Sequence, residues 1–155
     1  MAATLEADPR IRQAAMTATP LDPAALLEAV ADPAAGGNVV FVGSVRGTTA
    51  GRVTTRLEYE AHQPLALAVL RQLAGEAADR FGLVAVAVAH RLGVVTPGEA
   101  GVVVAASGTH RREAFAAVEW LMERIKREVP IWKCEHRPDG RWEWVHGEAV
   151  PGGEA

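Results

Sequence analysis

Lysine is scarce in this 155-residue chain. Arginine occurs fourteen times and lysine twice, and the two lysines, Lys126 and Lys133, stand seven residues apart. An arginine effectively never loses its proton, whereas a lysine sheds it when its surroundings disfavour charge. A retained lysine pair can therefore mark a place where a titratable amine is needed. The competing reading is that two surface lysines simply remain. Pro130-Ile131-Trp132-Lys133 puts a bend between them. Such a bend can bring both ammonium groups to one mouth, where an amine can act as base or nucleophile.

Two other segments carry groups suited to an anion. Ser44-Val45-Arg46 ends an apolar run and enters a glycine-containing loop, so Arg46 can reach over a pocket and clamp a phosphate through two parallel hydrogen bonds. Ser107-Gly108-Thr109-His110-Arg111-Arg112 joins an apolar run to a helix start, where free N–H groups and the helix dipole favour negative charge. His110 and Arg111 would add donors there. A bound phosphate would compensate these cations, and Glu113 could also do so alone.

Cys134 is the one cysteine, which excludes an intrachain disulfide and a multi-cysteine metal site and fits a reducing cytoplasm. Alternation along a strand points it opposite to Lys133. A lone cysteine reads as a small buried hydrophobe rather than a nucleophile. His62, His90, His136 and His146 have no ligand-like spacing among themselves, so no metal site is read.

The elements that must position these groups follow from pattern. Asp22-Pro23 is an N-cap followed by Pro at the first helical position, which predicts a short helix over 23–31. Residues 39–46 form an apolar run of strand length, and 52–60 alternate, so 39–60 is expected as a hairpin with a long tip. Pro64 opens a helix that Gly82 ends. Strands are expected over 83–92 and 101–107, with a turn at 96–99. A helix over 110–128 carries a core stripe of Phe115, Val118, Met122, Ile125 and Val129, and Pro130 stops it. Residues 131–136 and 141–146 flank Pro138-Asp139-Gly140 as a second hairpin, whose exposed Trp residues are expected at a protein interface. Mixed strands and helices with hairpin connections argue for α+β rather than a doubly wound sheet.

With 49% hydrophobic and 23% charged residues, the chain fits one soluble domain. Residues 1–16 are expected as a flexible extension, with Met16 a candidate alternative start, 17–147 as the single domain, and 148–155 as a tail. A net charge of −3 does not favour nucleic acid, and no apolar run is long enough to span a bilayer. No secretory signal is read at the N-terminus.

Together Phe41-Val42-Gly43-Ser44-Val45-Arg46, Leu57-Glu58-Tyr59-Glu60-Ala61, His90-Arg91-Leu92-Gly93, His110-Arg111, and Lys126 with Pro130-Ile131-Trp132-Lys133 resemble the MoaE family, the catalytic subunits of molybdopterin synthase. The resemblance covers roughly residues 17–147. It implies an α+β fold of the α/β-hammerhead type with an added antiparallel sheet. It implies a sulfurtransferase of molybdenum cofactor biosynthesis, with cyclic pyranopterin monophosphate as substrate and no cofactor of its own. The implied sulfur donor is a small ubiquitin-like protein ending in a Gly-Gly thiocarboxylate, which delivers sulfur twice. The implied assembly is a central homodimer with a small subunit at each end, a heterotetramer. By motif, Lys126 is the essential lysine beside the donor's C-terminus. Ser44, Val45 and Arg46 line the substrate pocket, His110 and Arg111 hold the phosphate end, and Lys133, Cys134 and Glu135 complete the site. Whether Lys126 steers the tail, stabilises charge or moves a proton stays open.

Three other readings are weighed: an anion-binding regulatory domain, an oligomerisation domain with solvated charges, and a Schiff-base lysine enzyme acting alone.

Overall fold

The computed structural model describes residues 7–145. The first six residues of the expected extension, His146 and the expected tail at 148–155 lie outside the described residues. Among the described residues two four-stranded sheets, one two-stranded ribbon and three helices make up the architecture, which is α+β as expected.

The first sheet orders β1 (Ile11–Thr17), β6 (Ala85–Arg91), β8 (Ala100–Gly108) and β2 (Gly37–Ser44). β1 runs parallel to β6, and the other two pairings are antiparallel. Helices α2 (Gln63–Phe81) and α3 (Arg111–Glu128) cover one face, where Leu70, Leu73, Leu121 and Ile125 meet Val86, Val88 and Val104. Helix α1 (Pro23–Ala29) covers the other, where Leu26 and Val30 meet Ala87, Val103 and Ala105. A strand buried on both faces needs apolar residues at every position. That is why β6 and β8 read as unbroken Val/Ala runs rather than alternating ones.

The second sheet, ordered β10 (Trp142–Val145), β9 (Ile131–His136), β5 (Arg56–Ala61) and β7 (Gly93–Val95), is antiparallel throughout. The hairpin expected around Pro138-Asp139-Gly140 is present, with Trp142 opposite His136 and Gly140 at a φ of 82°.

Several expectations are corrected. Residues 39–60 are not one hairpin, because β2 pairs with β8 in the first sheet and β5 with β9 and β7 in the second. Only the two-residue strands β3 (Thr48–Thr49) and β4 (Arg52–Val53) pair locally, at the tip. The long-range ladder wins because β2 completes an edge of a four-stranded sheet covered by helices, whereas a solvated two-stranded ribbon is marginally stable at best. The expected extension at 1–16 contains an edge strand, β1, tied down by its ladder to β6 and by the Arg10–Asp79 ion pair at 2.6 Å. The core stripe of α3 is kept at Val118, Ile125 and Val129, which are buried, and at Met122, which packs against the core; Ala114, Ala117 and Leu121 widen it, and Phe115 departs from it at 61% exposed.

Helix ends follow the sequence closely. Asp22 caps α1 by accepting from Ala24 N at 3.0 Å. Gly82 closes α2 in the left-handed region at φ 59°. Gly37 matters differently: a Cβ there would lie 2.7 Å from Arg111 Cα, so only glycine lets β2 pass the start of α3.

Candidate active site

Lys126 sits near the end of α3, one residue past the buried Ile125. The next turn cannot continue, since Pro130 disfavours helical backbone at Val129, which is extended at φ −75°, ψ 123°. The chain reverses there, with Ile131 N donating to Val129 O at 2.8 Å, and enters β9. Period-two alternation then aims Ile131, Lys133 and Glu135 at one face of the second sheet and Cys134 at the other.

On that face lies an open pocket where the two sheets and the C-terminal half of α3 meet. Lys126, Lys133 and Glu135 line it, together with Ser44, Val45 and Arg46 from the end of β2. Tyr59 of β5 and His90 of β6 also line it. The β2 end is held in place by an irregular register at Gly43/Ser44 and by bonds to the 96–99 turn: Val45 N donates to Glu99 O and Gly98 N to Val45 O, both at 2.9 Å. Hydrogen bonds from Thr96, and then the Arg91 guanidinium, hold the Glu99 carboxyl below its ordinary range. The turn that anchors Arg46 is therefore itself braced by charge.

The pocket mixes three cations with one buried carboxylate. Glu135 is 4% exposed and pairs with Arg137 at 3.1 Å. Arg46 and Lys126 are exposed at the rim. An anionic ligand entering here gains charge-assisted hydrogen bonds, with apolar wall from Leu57, Val102 and Ile125.

Sequence reasoning missed Tyr59 and His90 as pocket residues. His90 is buried, and burial pushes its imidazole down to about 4 even though its Nδ1 bonds the Arg91 carbonyl at 2.7 Å. The ring is neutral at pH 7, with Nδ1 as the donor. The signal available was that a histidine stood in an otherwise apolar strand.

Three expected site residues are elsewhere. His110 and Arg111 begin α3, fifteen residues and about 22 Å of helix rise from Lys126. They do not line the pocket of this chain. There the chain caps its own helix, His110 N donating to Glu113 Oε2 at 3.1 Å. Cys134 is buried on the opposite face of the sheet. Burial, then the nearby carboxylates, push its thiol up, so it is no activated nucleophile. On its own face it meets Glu58 and His136, a grouping that the spacing of histidines alone did not reveal.

This scaffold is the fold of molybdopterin synthase structures. The enzyme from Staphylococcus aureus superimposes at a TM-score of 0.79 and 36% identity, over 84% of this chain and 94% of that one. A complex of subunits 1 and 2 of molybdopterin-converting factor from Helicobacter pylori does so at 0.65 and 26%, over 88% of each. The molybdopterin synthase catalytic subunit 1 of Mycobacterium tuberculosis is 46% identical over 130 residues, which are 84% of this chain and 88% of that protein. The family described as MoaE protein matches residues 16–128. The chain belongs to the MoaE family, and with it to molybdenum cofactor biosynthesis.

Proposed function

We propose that this chain is the catalytic subunit that turns cyclic pyranopterin monophosphate into molybdopterin, using sulfur from the C-terminal thiocarboxylate of a small ubiquitin-like partner. The observation that carries the reading is the convergence of Lys126, Lys133 and Arg46 on one pocket from three separate elements. The pocket offers about 190 Å³, room for a fused ring or a chain end but not for a folded domain. Sulfur must then arrive on an extended tail. The thiocarboxylate is the nucleophile, so the protein needs no reactive cysteine, in keeping with the buried Cys134. Arg46 orients the anionic substrate, while Lys126 and Lys133 attract the tail and stabilise negative charge as it develops.

His110 and Arg111 fit the phosphate role only from a second copy of the chain, since one α3 cannot present both of its ends to one pocket. A homodimer with a small subunit at each end supplies that arrangement, and the exposed Trp132, Trp142 and Trp144 of the second sheet offer surface for protein contact. The reaction belongs in the cytoplasm, where thiocarboxylates and thiols stay reduced. The test is dithiolene formation by the purified chain with its thiocarboxylated partner. Turnover that depends on Lys126 supports the reading, and near-normal turnover by Lys126→Ala ends it.

A further inference from the structure

The face of the second sheet turned away from the pocket holds a thiol, an imidazole and a carboxylate in one place. Glu58 of β5 is the direct cross-strand partner of Cys134 of β9. His136 lies two residues beyond Cys134, and so on the same face. Their ligand atoms, one carboxylate oxygen, Sγ and one ring nitrogen, all lie within 4.8 Å of one another. We propose that Glu58, Cys134 and His136 form a zinc site outside the catalytic pocket, with a fourth position open to water.

The ligand set suits a borderline-soft divalent ion, since zinc accepts thiolate, imidazole and carboxylate together. In a tetrahedral zinc site neighbouring ligand atoms stand about 3.5 Å apart. The three groups need to close by little more than an ångström. His136 Nε2 already meets Glu58 Oε2 at 3.0 Å, so a cation would enter between two groups that face each other. The backbone beneath is fixed: Thr55 N and Thr55 Oγ1 both donate to the His136 carbonyl, at 2.8 and 3.1 Å. Entry is from the side of Glu58, whose side chain is 41% exposed, past His136 at 16%, to the Cys134 thiol buried beneath them. The carboxylates of Glu58 and Glu60 act on the Cys134 thiol more strongly than the Arg56 guanidinium does, so the local field favours a cation. Metal binding would displace the thiol proton to solvent.

The test is titration of the metal-free full chain with Co²⁺ under reducing, oxygen-free conditions, followed by Zn²⁺. One equivalent of Co²⁺ per chain should bind with an intense thiolate-to-cobalt band in the near ultraviolet, and Zn²⁺ should abolish that band stoichiometrically. Cys134→Ala should remove the band, and Glu58→Gln, nearly isosteric and so safe for the fold, should weaken Co²⁺ binding at least tenfold. Circular dichroism checks both variants. Binding below one equivalent, a band that survives in Cys134→Ala, or Glu58→Gln binding as tightly as the parent overturns the proposal. None of these readings depends on the activity of the pocket.

Discussion

The ring of Tyr59 meets the ring of His90 edge-on, with centroids 5.0 Å apart and planes at 84°. The pair joins the two sheets behind the pocket, β5 of one to β6 of the other. An edge-on contact of this kind packs a neutral imidazole well, and the burial that creates it opposes a charged one.

Acid should therefore loosen this junction. The His90 imidazole titrates at about 4 in the folded chain and at about 6.5 when unfolded. Between those values the unfolded chain binds more protons, so stability rises with pH and is lost as pH falls from 6.5 toward 4. The loss should be about 2 kcal/mol by pH 5 and on the order of 3 kcal/mol near pH 4. Urea unfolding at pH 7 and pH 5 measures it. In His90→Asn, less stable at neutral pH, the same pH step should cost much less, and an equal drop in both proteins would remove His90 as the cause.

Lys126 should be needed for turnover. Lys126→Ala is expected to slow dithiolene formation by about 100-fold or more, the scale of a lost charge-stabilising or proton-transferring group. Lys126→Arg keeps the charge but not the compact titratable amine, and should remain impaired. Wild-type rates in Lys126→Arg would leave Lys126 a charge-steering role and exclude proton transfer by it, and trapping by borohydride with a carbonyl substrate alone would favour a Schiff-base enzyme.

The two ends of α3 should work in different copies. Lys126→Ala and Arg111→Ala should each be inactive as homodimers. Mixed dimers carrying one of each keep one intact pocket, so co-expressed, tagged heterodimers should regain up to about half the parental rate. No recovery in purified heterodimers would overturn the placement of Arg111 and Lys126 of one chain in different pockets, and an active Arg111→Ala homodimer would place Arg111 outside substrate binding.

The inner face of α3, with Leu121 in it and Phe115 outside it, gives a stability test that turnover does not touch. Leu121 is fully buried, so Leu121→Ala should cost about 2–5 kcal/mol. Phe115→Ser, at a position 61% exposed, should change the unfolding free energy of the isolated chain by less than about 1 kcal/mol. Equal costs would return Phe115 to the core.

Much of this protein was legible without coordinates wherever a rule acts over a few residues. Asp22-Pro23, Gly82 and Pro130 set helix boundaries through capping, left-handed backbone and a missing N–H. Alternation after Pro130 separated Lys133 from Cys134. The MoaE motifs identified the family, and the scarcity of lysine drew attention to the pair that shares the pocket. What needed the tertiary structure were relations between segments far apart in the chain. The pairing of β2 with β8 rather than β5, the capture of β1 by β6, and the meeting of Glu58 with Cys134 and His136 depend on which sheet edges are free once the core has formed. The separation of His110 and Arg111 from Lys126 follows from the rigidity of one helix, and His90 became a pocket residue only when the second sheet packed Tyr59 against it. Strand pairing and burial are settled by competition across the whole chain, and no local window of residues records the outcome.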